Sequence, residues 1–527
     1  MQPFAEFQRW THRASTGEKA STALAVAVVL TLLVWVLIPV GADSNKGGFG
    51  LAGAPGAVSG TTSSSTAKGG TAPGGTVLAP QPGASGATST TGAQVAVGGR
   101  HATTARGGAP IATPAPAQAG AGGSTACPSS TASGVSSKEI KVAVTIPEIV
   151  GPAGNRTFGL PTYDEQKQKY NTVMKSVNAA GGVACRDLVP VYYSVNPADE
   201  SDMHAKCLDI ASAGVFAVID DGGEYANSAC FGQHHLPFLG DNLEFANTAS
   251  TYYPFLISAW NLYDNAYRTA VAGLKKRGFF DSSRGFRKLG FLYFSCHPEV
   301  ISEMTDDLHQ AGLSGSQIVS YNAGCPSPPL ANPSDMQQAI LAFKSSGVTN
   351  VTFAYFMGSI GTFTKIAQQQ DFHPKYGLAD DAYIGVSYGT SKPDPNNFNG
   401  AITITTSRYG EENTPGYKPT AATTKCNRIF VTAGMTPLYR EPAAGNGGWA
   451  CDLVWMLRAA VDNAPSLSQN ALAAGLMATG SLDLSYPGGP DDFASSHGVT
   501  GGSAWRVAEY ISGCACWRLA DRSYHDT

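Results

Sequence analysis

Apolar and polar positions in residues 163–223 predict helices and strands in regular succession. Apolar residues repeat with helical spacing from Tyr170 to Val177, and Gly181-Gly182 follow, where a helix would end in a left-handed cap. The segment 188–194 predicts a strand, and 203–211 carries a second helical stripe. The unbroken apolar run 215–219 is typical of a parallel strand covered on both faces. This stretch therefore predicts one βαβ half of a Rossmann-like lobe.

The same alternation continues through most of the chain. Further strands are predicted at 141–145, 237–239, 288–294, 317–321, 350–354, 383–386, 401–406, 505–510 and 516–519. Further helices are predicted at 266–274, 298–311, 333–345, 358–369, 425–433 and 447–463. Strands and helices that alternate at this spacing indicate parallel sheets covered by helices. Because the chain builds one sheet, then a second, and has residues left over, it must return to complete both.

This order predicts an α/β fold with two Rossmann-like lobes, parallel sheets and an interlobe cleft. Lobe 1 would take in about 137–260 and part of 400–480, and lobe 2 about 261–390 and the C-terminal strands, within one bilobed domain at 137–527. Ligands of open α/β sheets bind beyond the carboxyl ends of the strands. The loops at those ends are therefore the candidate site.

The N-terminal quarter has a different composition. Nineteen almost wholly apolar positions end at Val40, enough to cross a bilayer of about 30 Å. We predict a transmembrane signal-anchor helix at 21–40, after a short cytoplasmic segment at 1–20 whose basic residues place it inside. A cleaved signal peptide, cut near Gly41-Ala42, is the alternative. Residues 41–136, rich in Gly, Ala, Thr and Pro, predict a disordered linker with a reach of about 50 Å.

Charge narrows the choice of partners for the folded domain. Residues 1–126 hold seven Lys/Arg and three Asp/Glu, so the overall net charge of −4 leaves −8 on the remainder. A negatively charged domain does not suit nucleic acid or an anionic membrane surface. The predicted N-terminal helix is thus the one expected membrane contact, and the domain would be extracellular on a single-pass protein of the cell membrane.

Ten cysteines in a chain predicted to lie outside the cell indicate disulfides. Spacing does not determine connectivity, but three candidate pairs would each link neighbouring elements: Cys207 with Cys230, Cys296 with Cys325, and Cys426 with Cys451. A zinc site needs two paired Cys/His clusters, and only Cys514-Ala515-Cys516 is closely spaced. We therefore predict no metal and no cofactor.

One segment carries a resemblance to a known family. Val177-Asn178-Ala179-Ala180-Gly181-Gly182-Val183 is followed by a strand and then by an apolar strand that ends before Asp220-Asp221-Gly222-Gly223. This resembles the extracellular solute-binding proteins of the branched-chain amino acid ABC transporter type, and the order of elements extends the resemblance over about 137–527. It implies the type I periplasmic-binding fold, whose lobes close about a hinge. It also implies capture of a small polar or amino-acid-like solute for an ABC permease, without enzymatic activity.

The loops that follow the predicted strands supply the candidate ligand-binding residues. In lobe 1 these are Gly222, Gly223, Glu224, Tyr225, Asp241 and Asn242, and in lobe 2 they are Ser295, His297, Phe356, Ser387 and Tyr388. Backbone N–H groups of the glycine pair, with a helix that starts near Glu224, could receive a carboxylate. A tight turn alone would also explain the two glycines. Aromatic walls with a few hydroxyls suit a small, partly apolar solute.

The lobe 1 loops depart from the family in a way that bears on the solute. Amino-acid-binding relatives place small hydroxyl residues after the third and fourth strands of this lobe, where this chain has Gly-Gly-Glu-Tyr and Asp-Asn. Glu224 and Asp241 would repel a carboxylate, but they could hold an amine, an amide or a hydroxyl group.

Two other functions remain open. A surface receptor or adhesion module could use the same fold to bind another protein. A serine hydrolase is suggested by Gly385-Val386-Ser387-Tyr388-Gly389 with Asp452 and His497 after it, but Lys392-Pro393-Asp394-Pro395 follows where a nucleophile elbow needs a helix.

The pair His234-His235 lies beside a predicted helix end, which favours a capping or surface role over metal binding.

Overall fold

A parallel sheet forms the first half of the fold. The computed structural model describes residues 127–148, 151, 155, 161–197, 199–220, 227–240, 245–296, 298–325, 332–354, 359–379, 392–408, 410–436, 446–489, 491–502 and 504–526, all within one compact unit. Sheet 1 has the order β2-β1-β3-β4-β5, from β1 (Glu139–Pro147), β2 (Asp187–Val195), β3 (Ala217–Asp220), β4 (Phe238–Gly240) and β5 (Leu256–Ser258). The helices between these strands are α1 (Tyr163–Ala179), α2 (Glu200–Ser212), α3 (Ser228–Gln233) and α4 (Ala246–Thr251).

Helix α1 shows how local sequence produces this half. Thr162 and Glu165 form a capping box, in which the Glu165 backbone N–H donates to the Thr162 hydroxyl at 3.3 Å. The predicted stripe from Tyr170 to Val177 is buried against sheet 1. The helix ends where predicted, because Gly181 and Gly182 both have positive φ, at 97° and 71°.

Sheet 2 begins with parallel strands and is completed by the C-terminal tail. Its order is β14-β13-β10-β9-β8-β6-β7, and β10 pairs with β13 in antiparallel fashion. The strands are β6 (Leu289–Tyr293), β7 (Ile318–Asn322), β8 (Asn350–Ala354), β9 (Lys375–Leu378), β10 (Ile402–Thr405), β13 (Ala504–Ile511) and β14 (Cys516–Leu519). The intervening helices are α5 (Tyr263–Lys276), α6 (Pro298–Gln310), α7 (Pro333–Ser345), α8 (Ile360–Gln369) and α9 (Pro395–Phe398).

Three segments carry the chain between the sheets: a first crossing segment at 259–262, a second at 406–420 and a third at 483–502. Between the second and third lie α10 (Ala421–Thr432), α11 (Asn446–Asp462), α12 (Leu472–Thr479) and β11 (Ser481–Leu482). Strand β11 pairs with β12 (Asp491–Asp492), and a short β15 (His525–Asp526) pairs with β13. Leu453, Met456 and Leu457 of α11 belong to the core of sheet 1. The chain thus returns to sheet 1 before it completes sheet 2.

The strand predicted at 383–386 lies outside the described residues, and the strand that follows α8 is β9 at Lys375–Leu378. Four residues with a glycine among them, KYGL, carry too little periodicity to indicate a strand. Their pairing with β8 and β10 comes from the sheet itself. Sequence reasoning also missed β5 and α12.

All ten cysteines are paired. The structure joins Cys207 with Cys230, Cys296 with Cys325 and Cys426 with Cys451, and also Cys127 with Cys185 and Cys514 with Cys516. The folded part begins before the predicted boundary at residue 136. Besides the bond at Cys127, the Ser130 hydroxyl donates to the carbonyl of Leu467 at 2.6 Å, and Gly134 lies against the backbone of Phe216. The linker prediction was therefore wrong for residues 127–136.

No helix in the described ranges is long and apolar enough to cross a membrane. The predicted cytoplasmic segment at 1–20, the helix at 21–40 and the linker up to residue 126 lie outside those ranges.

Candidate functional site

The carboxyl ends of neighbouring strands lie side by side in sheet 1. Thr145 of β1 pairs with Asp220 of β3, Asp220 pairs with Gly240 of β4, and Gly240 pairs with Ser258 of β5. The loops that leave these strands therefore start next to one another. The predicted residues Gly222, Gly223, Glu224, Tyr225, Asp241 and Asn242 follow β3 and β4 but lie outside the described residues, so their part in a site stays a prediction.

A buried polar contact joins two of these strand ends. The Thr145 hydroxyl donates to the carboxylate of Asp220, and both side chains are buried at 1% and 3% exposure. The contact fixes the last residue of β3 immediately before the predicted glycine loop. Sequence reasoning gave Thr145 no role; its signal was a lone hydroxyl residue at the end of the apolar strand KVAVT.

The described part of the segment after β1 is tied to the same edge. Buried Asn155 donates from Nδ2 to the carbonyls of Pro147 and Pro161 at 3.0 and 2.9 Å, and Gln166 of α1 also donates to Pro161 at 3.1 Å. These amides hold the start of α1 against the end of β1. The sequence analysis did not single out either residue.

Helix α3 begins later than predicted. The helix expected near Glu224 starts at Ser228, and the Asn227 side chain caps it by accepting from the Cys230 backbone N–H at 3.1 Å. An Asn N-cap satisfies an otherwise unpaired helical donor, which decides the start. At its other end His234 is the C-cap, and both His234 and His235 are exposed, as the capping or surface role predicts.

Sheet 2 presents an equivalent edge. Tyr293 of β6 pairs with both Asn322 of β7 and Ala354 of β8. The backbone N–H of the half-buried Ser295 donates to the Gly324 carbonyl at 2.8 Å, and the Cys296–Cys325 disulfide then links the loops after β6 and β7. Of the predicted lobe 2 residues the structure describes Ser295, while His297, Phe356, Ser387 and Tyr388 lie outside the described residues.

The third crossing segment is anchored by Asp452 of α11, which is wholly buried. Its carboxylate accepts from the backbone N–H of Ser485 at 2.7 Å, from the Ser485 hydroxyl at 2.8 Å and from the Tyr486 N–H at 2.9 Å. Burial raises the pKa of Asp452 to about 7, although these hydrogen bonds act in the opposite direction. Burial and the Asp452 charge also raise the pKa of Asp491 well above its usual range. From the sequence, Asp452 was considered only as a possible member of a catalytic triad.

A buried ion cluster holds the second crossing segment to sheet 2. Glu411 pairs with Arg506 of β13 and lies 3.6 Å from Arg408. The Arg506 guanidinium stacks on the Tyr524 ring at 4.2 Å. Because each charge has an opposite partner, this cluster has a structural role and holds the second crossing segment to β13.

Three aromatic side chains join the crossing segments. Trp260 of the first segment, Trp449 of α11 and Tyr486 of the third are all buried, and the Trp449 and Tyr486 ring centroids are 4.0 Å apart. Trp260 lies 5.9 Å from each of the other two. Movement of the lobes about these segments should therefore change tryptophan emission.

The described residues do not assemble a hydrolase triad or a metal site. Both oxygens of Asp452 accept from the third crossing segment, and His497 is exposed with no hydrogen bond to Asp452 among the described contacts. Ser387 lies outside the described residues. No group of three or more His, Cys, Asp or Glu side chains that could hold a metal ion occurs in the described ranges.

Comparison with known proteins identifies the fold. No protein-family model matches the chain, and no curated protein matches it. Among solved structures, a fatty acid ABC transporter substrate-binding protein from Thermomonospora curvata matches with a TM-score of 0.55 at 13% identity, over 75% of this chain and 94% of its own. A branched chain amino acid ABC transporter protein from Thermus thermophilus with bound valine matches with a TM-score of 0.55 at 12% identity, over 75% and 98%. A periplasmic binding protein type 1 from Bordetella pertussis matches with 0.53 at 13%, over 74% and 100%. The chain therefore has the predicted type I periplasmic-binding fold.

Proposed function

We propose that this chain is an extracellular solute-binding protein that captures a small polar solute between its two lobes for an ABC permease. The registered strand ends of sheet 1 carry this proposal, since they bring the loops after β1, β3 and β4 to one edge. Solute-binding proteins of transporters share the fold over 94% to 98% of their own length in the first two matches. The apolar run that ends at Val40 would tether the domain to the membrane through the linker.

The solute should carry an amine, an amide or hydroxyl groups. Glu224 and Asp241 follow neighbouring strands and would place two carboxylates near the ligand. Two such charges repel a carboxylate and attract a cation, and each can accept hydrogen bonds. Capture would involve no bond making. This accords with the contacts of Asp452, whose carboxylate accepts hydrogen bonds from Ser485 and Tyr486 of the third crossing segment.

The experiment is a thermal-shift screen of the purified chain against polyamines, amides, polyols, amino acids and small acids. A ligand that binds the folded state raises Tm by mass action. The dissociation constant of each positive compound is then measured by calorimetry for Glu224→Gln and Asp241→Asn. Each variant should weaken an amine-bearing solute by about tenfold or more, because a charged hydrogen-bond acceptor is lost.

The matched control is Glu139→Gln. Glu139 is an exposed carboxylate at the amino end of β1, away from the strand ends that carry the loops. It should leave the affinity unchanged. The proposal fails if no class of compound raises Tm. Its account of the solute fails if small acids bind best and if Glu224→Gln and Asp241→Asn increase the affinity for those acids.

A further inference from the structure

A pocket of about 760 Å³ lies where α4 meets the first and third crossing segments. The described residues that line it include Ser250, Tyr253, Asn261, Leu262, Asp492 and Val499. This volume is in the range of about 300–1,000 Å³ that small-molecule sites occupy. The pocket is therefore large enough for an organic ligand.

The walls of the pocket belong to the parts that connect the lobes. The Ser258 N–H of β5 donates to the Val499 carbonyl at 2.8 Å, and the Thr500 hydroxyl donates to the carbonyl of Trp260. The Ala246 N–H at the start of α4 donates to the carboxylate of Asp264 on α5 at 3.0 Å. A ligand in this pocket would thus contact α4, which follows a sheet 1 strand, and Asn265 of α5, which leads into sheet 2.

The chemistry of the lining favours a cation with an apolar body. Asp492 is the one formally charged carboxylate among the described lining residues, and no Lys or Arg is present among them. Tyr253 is 48% exposed and offers an aromatic ring for cation–π contact, while Leu262 and Val499 supply apolar surface.

A buried donor adds a second requirement. Asn261 is 5% exposed, and its Oδ1 accepts from the Leu262 N–H at 2.9 Å. Its Nδ2 has no hydrogen-bond partner among the residues that the structure describes. A buried amide donor without an acceptor is costly. Nδ2 is closed to solvent, so an acceptor atom on a ligand would satisfy it once the Asn261 side chain turns into the pocket.

We infer that this pocket is a second ligand site, for a small organic amine that also carries a hydrogen-bond acceptor, and that its occupancy biases the angle between the lobes. The amine pairs with Asp492, and the ligand acceptor accepts a hydrogen bond from Nδ2 of Asn261 after that side chain turns into the pocket. A ligand shifts a conformational equilibrium only when its contacts differ between the two states. Contacts on both sides of the crossing segments would differ if the lobe angle changed, which the emission measurement below tests.

The test uses tyramine, an aromatic amine with a hydroxyl group, titrated into the purified full-length chain by calorimetry. Ser250→Trp fills the pocket from an exposed position of α4, where the serine hydroxyl donates to the Asn247 carbonyl at 2.9 Å. Ser345→Trp is the matched control, because Ser345 is also exposed and donates to the Ala342 carbonyl of α7 at 3.1 Å. We expect Ser250→Trp to weaken tyramine at least tenfold and Ser345→Trp to leave it unchanged.

Charge and coupling are tested in the same titrations. Asp492→Asn should weaken tyramine about fivefold, and 4-hydroxyphenylacetate, which replaces the amine by a carboxylate, should bind more weakly than tyramine. Tryptophan emission of the wild-type chain, to which Trp260 and Trp449 contribute, should shift on saturation with tyramine. Equal tyramine binding in wild type and Ser250→Trp overturns the inference. If Glu224→Gln alone abolishes binding, tyramine occupies the interlobe site, which overturns this inference and leaves the proposed function standing.

Discussion

Replacing Asp452 by asparagine should change how the stability of this protein depends on pH. The Asp452 carboxyl group is wholly buried, and it accepts three hydrogen bonds from Ser485 and Tyr486 of the third crossing segment. Burial raises its pKa from 3.8 to about 7, against the opposing effect of those donors. Three donors and the Arg408 charge favour the ionised form, but removal from water favours the neutral form more.

The sign of the effect follows from the raised pKa. The folded state keeps a proton that the unfolded chain has released, so the stabilisation from protonated Asp452 is complete below pH 3.8 and is lost as the pH rises through about 7. At about 1.4 kcal/mol per pH unit above pH 3.8, about 1.7 kcal/mol is lost by pH 5 and about 4 kcal/mol by pH 7. Asp452→Asn lacks this titration and carries a constant cost of about 2 kcal/mol for donors left without an acceptor. The variant should be less stable than wild type at pH 4 and more stable than wild type at pH 7 and above, with the curves crossing between about pH 5 and pH 6.

The assay is urea unfolding of both proteins from pH 4 to pH 9, followed by tryptophan emission. The exposed Glu139→Gln variant controls for general charge effects and should stay parallel to wild type. Because the Asp452 charge also raises the pKa of Asp491, the comparison is repeated in an Asp491→Asn background to separate the two groups. A difference between wild type and Asp452→Asn that does not change with pH would refute the reasoning.

Two further substitutions test the packing of lobe 1. Gly475→Ala should cost about 3 kcal/mol of unfolding free energy, because the new Cβ would lie 1.8 Å from the Ala460 carbonyl oxygen and force α11 and α12 apart. Gly315→Ala, with nothing within 4 Å, should cost far less in the same urea series. Replacing Cys207 and Cys230 by alanine removes a cross-link that spans 23 residues, so loop entropy alone predicts a loss of about 3 kcal/mol. The same change at Cys514 and Cys516, which are 2 residues apart, should cost only about 1 kcal/mol, and equal losses would contradict the entropic account.

Much of the fold could be predicted because its signals are local. Helix α7 and strand β8 have the predicted bounds, 333–345 and 350–354, since Pro333 starts one and the β-branched and aromatic residues of NVTFA favour the other. Helix α12 could not be predicted, because its sequence LAAGLMAT has no polar face to give a helical period. Strands β5 and β9 have three and four residues, and they become strands only through their neighbours in the sheet.

The candidate site was also predictable only where its signals are local in the sequence. Adjacent strand ends follow from the order of elements, so the edge formed by Thr145, Asp220 and Gly240 was predictable. The polar contacts that hold this edge and the hinge were not, because Asp452 meets Ser485 33 residues away and Glu411 meets Arg506 95 residues away. No period or motif links residues so far apart. The Ser…Asp…His order suggested a catalytic role for Asp452, whereas its carboxylate oxygens accept hydrogen bonds from the third crossing segment. The structural role of a buried charge at a crossing segment is therefore visible only once the tertiary contacts are known. The variants separate structural anchoring from ligand binding. Asp452→Asn should change the pH dependence of stability, and the variants of the lobe 1 loops should change the affinity for the solute.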